Sequence, residues 1–155
     1  MELAILLHNI RSAHNVGSIF RTADAAGVAH IYLTGYTPLP IDRFGRPQKD
    51  IAKTALGAEK SVEWEASASP AALITRLKRQ GFTVVALEQE KRSIPYTDFR
   101  AGGKTLFIFG NEVRGVSKAL RDCADVILEI PMRGTKESLN VSVAAGIALF
   151  SAINN

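Results

Sequence analysis

The sequence predicts an α/β domain built on a mostly parallel sheet of about six strands, with helices on both faces. The chain has 155 residues, a length typical of a single domain with a substantial hydrophobic core. Short apolar runs alternate with helical patterns along the whole chain. These runs are rich in Val, Ile, Leu and Phe without regular polar alternation, which is typical of parallel strands covered on both faces.

The predicted strands coincide with these apolar runs. Their bounds are Leu3–His8, His30–Thr34, Ser61–Glu65, Thr83–Leu87, Thr105–Phe109 and Val126–Ile130. The N-terminal run follows an acidic residue, so it is interpreted as a first strand and not as a signal peptide. No apolar run approaches the ~20 residues that a membrane-spanning helix needs.

Helices are predicted in the segments between the strands. Their bounds are Val16–Ala26, Asp50–Leu56, Pro70–Gln80, Ser117–Asp122 and Ser138–Ile153. Ser69 before Pro70 predicts a capped helix start, and Gly81 predicts the end of the same helix. Asn15 and Ser138 are the expected caps of the first and last helices. The last helix is apolar nearly all round, so we expect it to be buried or to lie at a subunit interface.

The chain is mildly basic, with a formal net charge of +4, and its basic residues outnumber its acidic residues between residues 9 and 53. Between residues 9 and 53, three aspartates face a larger set of cations, namely Arg11, Arg21, Arg43, Arg46, Lys49 and Lys53. A phosphate-bearing substrate fits this imbalance, and so does a solvated basic face. The long loop 35–48 carries two of these arginines and is either a substrate-gripping lid or a plain connection.

Cysteine and histidine usage excludes two classes of site. Cys123 is the only cysteine, so an internal disulfide is excluded, and a packing role in a reducing, cytoplasmic compartment is expected. His8, His14 and His30 are scattered without metal-ligand spacing, so no metal site is predicted.

Three polar segments follow predicted strands, where open α/β sheets bind their ligands. The first is residues 14–21, in which Gly17 permits close approach of another backbone and Arg21 can point into the loop region. Taken alone, Arg21 is more typical of a surface or ion-paired arginine. The second is residues 109–116, which match neither the dinucleotide nor the Walker fingerprint. Gly110 and Gly115 there permit a flat ligand to lie against the backbone, and Glu112 either contacts a ligand or pairs structurally.

The third segment, residues 130–143, opens into the last helix. Hydroxyl, amide and cationic groups converge there, from Ser138, Asn140, Ser142, Arg133 and Lys136. This combination predicts a polar pocket at a helix start. Asn140 is within reach of the other two segments if the three strands are neighbours.

Taken in order, the three segments resemble the three motifs of the SpoU/TrmH family of RNA ribose 2′-O-methyltransferases in the SPOUT superfamily. The resemblance rests on Asn15, Gly17 and Arg21, on Phe-Gly-Asn-Glu-Val-Arg-Gly at 109–115 and on Ile-Pro-Met-x-Gly…Ser-Leu-Asn-Val-Ser at 130–142. It extends from about residue 3 to residue 153. It implies a parallel sheet with a C-terminal deep trefoil knot, S-adenosylmethionine as cofactor, RNA as substrate and a homodimer.

The resemblance also implies roles for individual residues. Arg21, Ser138 and Asn140 match catalytic positions, and Asn15 and Glu112 match supporting ones. The residues expected at the cofactor are Leu87, Gly110, Asn111, Gly115, Ile130, Met132, Ser138 and Leu139. The residues expected to contact RNA are Arg11, Arg43, Arg46, Lys49, Arg114, Arg133 and Lys136.

In the family picture the arginine activates the ribose hydroxyl, yet a guanidinium stays protonated at ordinary pH. We therefore expect Arg21 to bind the neighbouring phosphate and to stabilise a developing alkoxide, while Ser138 and Asn140 hold the arginine and the ribose. The proton would leave to the phosphate or to water. His14 is the alternative base.

The sequence is compatible with other functions. The main alternative is a non-catalytic RNA-binding or assembly protein that retains the SPOUT fold. A nucleotide-binding module has no phosphate-loop motif to support it, and the motif triple favours ribose over base methylation. Residues 1–155 are expected to form one methyltransferase domain with no added N-terminal RNA-binding domain, which favours transfer RNA over ribosomal RNA.

Overall fold

A computed structural model describes residues 1–155 and contains one parallel sheet of seven strands. In chain order the strands are β1 Glu2–His8, β2 His30–Thr34, β3 Glu63–Ser67, β4 Phe82–Leu87, β5 Ile94–Pro95, β6 Lys104–Phe109 and β7 Val126–Glu129. Their order across the sheet is β3-β2-β1-β6-β4-β7-β5, and every neighbouring pair is parallel. The predicted α/β class is therefore confirmed.

Six helices cover the sheet on both faces, as predicted. They are α1 Ala13–Ala26, α2 Lys49–Ala55, α3 Ala58–Ser61, α4 Pro70–Arg79, α5 Lys118–Cys123 and α6 Val141–Asn154. One hydrophobic cluster joins one face of the sheet to α1, α2, α3 and α6. A second cluster joins the other face to α4 and α5. Because both faces are buried, the strands lack polar alternation.

The predicted sheet was wrong in two details. The seventh strand, β5, has only two residues in a polar segment, and it occupies an edge of the sheet, where its proline is tolerated. The third strand was predicted two residues too early, at Ser61–Glu65. Residues 58–61 instead form α3, in which the Val62 amide donates to the Ala58 carbonyl.

Two predicted helix caps were also wrong. Ser12, and not Asn15, caps α1, since its hydroxyl accepts a hydrogen bond from the Asn15 amide at 3.1 Å. Asn140, and not Ser138, caps α6, and its side-chain oxygen accepts from the Ser142 amide at 2.9 Å. The cap of α4 was correct: the Ser69 hydroxyl accepts from the Ala72 amide.

The strand order places a topological switch point between β1 and β6. From β1 the chain passes through α1 to β2, toward one end of the strand order. From β6 it passes through α5 to β7, toward the opposite end. Ligands of open α/β sheets bind in the crevice that opens where two connections diverge in this way. The three polar segments follow β1, β6 and β7, so all three lie at the same edge of the sheet. The trefoil knot implied by the resemblance stays a prediction.

The last helix, α6, is only half covered in a single chain. Ala145, Ala148, Leu149 and Ala152 are buried against the core. The opposite stripe is apolar but uncovered: Val143 is 52% exposed and Phe150 39% exposed. No helix of the chain is long and apolar enough to cross a membrane.

Candidate active site

A cleft opens at the carboxyl ends of β4, β6 and β7, beside the start of α6. Its floor is largely apolar, and backbone from three loops forms its walls. All eight residues that the sequence predicted at the cofactor line this cleft, namely Leu87, Gly110, Asn111, Gly115, Ile130, Met132, Ser138 and Leu139. The tertiary structure thus brings together residues that are up to 52 positions apart in the sequence, from Leu87 to Leu139.

The loop after β6 closes on itself through a pair of backbone hydrogen bonds between Asn111 and Gly115, of 3.1 and 2.8 Å. A side chain at Gly110 would collide with the Gly115 carbonyl, and one at Gly115 would collide with the Glu88 carboxylate. Gly115 also has a φ of 69°, in the left-handed region. The close contacts within and around this loop therefore explain why glycine is needed at both positions, and a ligand against their backbone is not required to explain it.

A chain of hydrogen bonds joins the three motif segments. The Asn140 side-chain amide donates to the Asn15 side-chain oxygen at 3.1 Å, and the Asn15 side-chain amide donates to Glu112 Oε2 at 3.1 Å. The Ser142 hydroxyl and backbone amide both donate to Asn140 Oδ1, at 2.6 and 2.9 Å. The orientation of Asn140 is thus fixed on both sides, through residues more than 95 positions apart in sequence.

Glu112 anchors this chain and holds the start of α1. Its carboxylate accepts hydrogen bonds from the Arg11 and Ser12 amides, each at 2.9 Å, in addition to the bond from Asn15. Partial burial acts to raise the pKa of Glu112, but these hydrogen bonds outweigh it and leave the pKa below its ordinary value. Glu112 is therefore ionised at neutral pH, at a helix N-terminus where negative charge is favourable.

The residues of the cleft fit S-adenosylmethionine. None of the backbone amides of residues 132–139 donates a hydrogen bond within the chain, so they are free to bind the edge of a purine ring. Apolar side chains such as Leu87 and Ile130 offer contact to the ring faces. Two carboxylates that accept no hydrogen bond, Glu129 and Glu137, line the cleft and complement a sulfonium or ammonium group.

Arg21 lies outside this cleft, which was not expected. It is exposed on α1 and lines a separate shallow depression together with Lys53 on α2 and Phe150 on α6. Arg21 makes no ion pair, and neither Ser138 nor Asn140 of the same chain holds it. The helical phase of α1 directs position 21 toward α2 and α6, because the alternate face carries the buried Ile19, Phe20 and Ala23.

Of the remaining predicted residues, one lies at the cleft and two lie away from it. Ser138 lies in the wall of the cleft and is exposed. His14, the alternative base, is not in the cleft, and its Nε2 is 3.4 Å from the Asp50 carboxylate. Gly17 permits the close approach expected of it, since a side chain there would collide with the Ile51 carbonyl of α2.

All the predicted RNA-contacting residues are exposed, and they follow the carboxyl ends of four parallel strands. Arg11 follows β1, Arg43, Arg46 and Lys49 follow β2, Arg114 follows β6, and Arg133 and Lys136 follow β7. Only Arg46 is engaged in an ion pair. Because carboxyl ends of parallel strands share one edge of a sheet, these cations surround the cleft and favour an anionic partner there.

The sequence interpretation missed Glu88, which directly follows β4. Its carboxylate accepts the Val116 amide at 2.8 Å and the Gln89 amide at 2.9 Å, and it therefore supports the loop after β6. Gln89 was missed as well, and its side-chain amide donates to the Glu137 carbonyl at 3.2 Å. A charged residue immediately after a buried strand was the available signal.

Comparison with known proteins agrees with this geometry. The SpoU rRNA Methylase family matches residues 2–150. The tRNA (guanosine(18)-2′-O)-methyltransferase of Aquifex aeolicus is 33% identical over 151 residues, covering 97% of this chain and 68% of that protein. The 23S rRNA (guanosine-2′-O-)-methyltransferase RlmB of Ralstonia nicotianae is 34% identical over 152 residues, covering 97% of this chain and 58% of that protein. The chain thus spans little more than half the length of the second relative.

Solved structures show the same fold. An AdoMet-bound rRNA methyltransferase from Sinorhizobium meliloti superposes with a TM-score of 0.85 at 29% identity, over 97% of this chain and 55% of that one. A structure that describes 2-OH methylation of C/U34 on tRNA superposes with a TM-score of 0.80 at 28% identity, over 97% of this chain and 93% of that one. The bound AdoMet agrees with S-adenosylmethionine as the cofactor of this fold. By sequence, fold and motif residues, the chain belongs to the SpoU rRNA methylase family.

Proposed function

We propose that the protein is a cytoplasmic enzyme that transfers the methyl group of S-adenosylmethionine to a ribose 2′-hydroxyl of RNA. The observation that carries this proposal is the hydrogen-bonded chain from Glu112 through Asn15 to Asn140. It fixes a polar side chain at the rim of a cleft that fits the cofactor and that exposed cations surround. A protein that only bound RNA would not require that combination.

The cofactor supplies the reactive methyl group, so the protein contributes position and electrostatics. Residues 132–139 and the apolar floor would hold the adenosyl part, and Glu129 or Glu137 would neutralise its cationic part. Asn140 would orient the ribose. Arg21 would bind the adjacent phosphate and stabilise the hydroxyl oxygen as its proton leaves to that phosphate or to water.

We propose further that the active protein is a homodimer in which the partner subunit covers the apolar stripe of α6. Val143 and Phe150 are exposed there, and because each is already about half buried, covering the rest is favourable by roughly half of the 1.5–3 kcal/mol that complete burial of such a side chain gives. The position of Arg21 supports the same conclusion, because it borders Phe150 and lies outside the cleft of its own chain. Arg21 would then act on the cleft of the partner subunit.

Mixed dimers test this arrangement. Arg21→Ala and Asn140→Ala are each purified, mixed, dissociated and reassembled. If the two residues act across subunits, a mixed dimer has one intact site, and the mixture regains about one quarter of wild-type activity. If both residues act within one chain, the mixture stays as inactive as its components, and a shared site is refuted.

The substrate is proposed to be transfer RNA, gripped by this domain itself. The cations that follow β1, β2, β6 and β7 provide the binding surface. The solved structure concerned with methylation of C/U34 on tRNA also supports this choice, because this chain covers 93% of that protein's chain. Ribosomal RNA is the other substrate class among the relatives.

A methyl-transfer assay tests the proposed function. The protein is incubated with labelled S-adenosylmethionine and, separately, with bulk transfer RNA and ribosomal RNA that lack its modification. Label in transfer RNA, located by mapping of 2′-O-methyl groups, is the expected result. Arg21→Lys is expected to lose most turnover, because lysine lacks the planar fork of a guanidinium. Calorimetry that detects no binding of S-adenosylmethionine would instead support a non-catalytic RNA-binding protein.

A further inference from the structure

The tip of the loop between β2 and α2 is a small closed turn, residues 41–47. Ile41 and Pro47 pair in antiparallel fashion across its base, and the Asp42 amide donates to the Arg46 carbonyl at 2.9 Å. The Asp42 carboxylate accepts bonds from the Phe44 amide at 2.8 Å and from the Arg46 amide and Nε, both at 3.0 Å. The turn is therefore held in one conformation by its own hydrogen bonds.

This turn presents an aromatic ring to solvent between two cations. The Phe44 side chain is 66% exposed, the most exposed of the chain's phenylalanines. The Arg43 and Arg46 guanidinium carbons lie 4.8 and 5.0 Å from the centre of its ring. Arg43 makes no hydrogen bond or ion pair within the chain, so the N–H groups at the edge of its guanidinium are available for phosphate oxygens, whereas the Arg46 Nε donates to Asp42.

The loop that carries the turn begins beside the cleft. At the start of the loop, the Asn111 side-chain amide donates to the Tyr36 hydroxyl at 3.0 Å, and Asn111 lines the cleft. The Tyr36 amide donates to the Asn9 side chain at 3.1 Å, in the segment after β1. At the far end, the Gln48 amide donates to the Pro40 carbonyl at 2.9 Å. The start of the loop is thus held beside the cleft, and the base of the turn is closed by a hydrogen bond within the loop.

We propose that an unpaired RNA base near the methylated nucleotide takes the place of the Arg43 guanidinium on the ring of Phe44, and that the displaced Arg43 binds the adjacent phosphate. The inference rests on the proposed function, since it assumes an RNA substrate at this edge. An exposed ring beside cations is what single-stranded nucleic acid requires, because a base stacks on the ring while its phosphate needs a positive partner. Stacking on any base tolerates sequence variation, so Phe44 would supply affinity for an unpaired segment.

Binding of RNA to three variants tests the proposal. Phe44→Ala, Phe44→Trp and Arg79→Ala are compared with the wild type, with bulk transfer RNA and a single-stranded 2-aminopurine oligonucleotide as probes. Arg79 is an exposed arginine at the end of α4 and controls for loss of charge or of a surface side chain. Phe44→Ala is expected to weaken binding about tenfold. Phe44→Trp and Arg79→Ala are expected to bind like the wild type.

Fluorescence separates stacking from mere proximity. The chain has a single tryptophan, Trp64 on β3, so the wild type provides the background signal. Phe44→Trp is expected to show additional emission that the oligonucleotide quenches. The Tm of each variant, measured by circular dichroism, serves as the check that it is folded, and this check does not depend on the cofactor.

Three results would overturn the proposal. The first is equal binding by Phe44→Ala and the wild type, and the second is equal weakening by Ala and Trp, which would indicate packing within the turn. The third is a change of oligomeric state on substitution, which would place the ring in a protein interface. Because these assays measure affinity, they remain decisive if no methyl transfer is found, and that outcome would count against the proposed function alone.

Discussion

Replacing Glu112 by glutamine tests the hydrogen-bonded chain that links the three motifs. Glutamine keeps the length of the side chain, and its oxygen can retain the bonds from the Ser12 amide and from Asn15. Its amide group then faces the Arg11 amide, and that bond is lost. A hydrogen bond to a charged group contributes about 1.5–3 kcal/mol, and loss of negative charge at a helix start costs about 0.3–1 kcal/mol.

Because Glu112 is partly exposed, the lower ends of both ranges apply, and the free energy of unfolding should fall by about 2 kcal/mol at pH 7.5. For a domain of this size that corresponds to a decrease in Tm of about 4–8 °C. Urea denaturation of wild type and Glu112→Gln at equal protein concentration measures the difference. Glu63→Gln, at an exposed carboxylate on β3, is the matched control and should unfold like the wild type.

The pH dependence of the unfolding free energy distinguishes the loss of the negative charge of Glu112 from a steric effect of the glutamine side chain. The folded state holds the pKa of Glu112 below its ordinary value, so the carboxylate stabilises the fold fully above about pH 4.5. That contribution is lost as the pH falls through the folded pKa. The difference in unfolding free energy between wild type and Glu112→Gln should therefore narrow as the pH falls below about 4.5. A constant difference over this range, or no difference at pH 7.5, would refute the assigned role of the ionised carboxylate.

Three further substitutions probe the cap, the loop and the apolar stripe. Asn140→Ala should lower the free energy of unfolding by about 1 kcal/mol, as the loss of a helix cap does, and should slow methyl transfer about a hundredfold. Ser69→Ala removes the cap of α4, so it should show the same loss in denaturation without a change in the activity assay. Gly115→Ala should lower the free energy of unfolding by more than the ~1–2 kcal/mol expected of Gly27→Ala. Both glycines have a positive φ, but only a side chain at position 115 would also collide with Glu88; equal Tm values would contradict this. Phe150→Asp should halve the mass measured by sedimentation, and an unchanged mass would refute the dimer surface.

The motif segments were predictable because each follows an apolar run that forms a strand through local pattern alone. Parallel strands then bring their carboxyl ends to one edge, and the cleft contains every residue that the resemblance placed at the cofactor. The short edge strand β5 was missed, since two residues carry no periodic signal. Ser61 was misassigned for a related reason, because a single helical turn and a strand start look alike over four residues.

The sequence by itself determined the α/β class and the alternation of elements, because apolar periodicity acts over short spans of chain. The resemblance carried by the ordered motifs added eight residues of the cleft. Only the tertiary structure decided what anchors those residues. Asn15 lies within the first turn of α1, which Ser12 caps, and its side-chain amide donates to Glu112, 97 positions away in the sequence. The apolar pattern of α1 already turns Arg21 away from the core, but only the packing of α1 beside α2 and α6 shows that Arg21 borders Phe150 and lies outside the cleft.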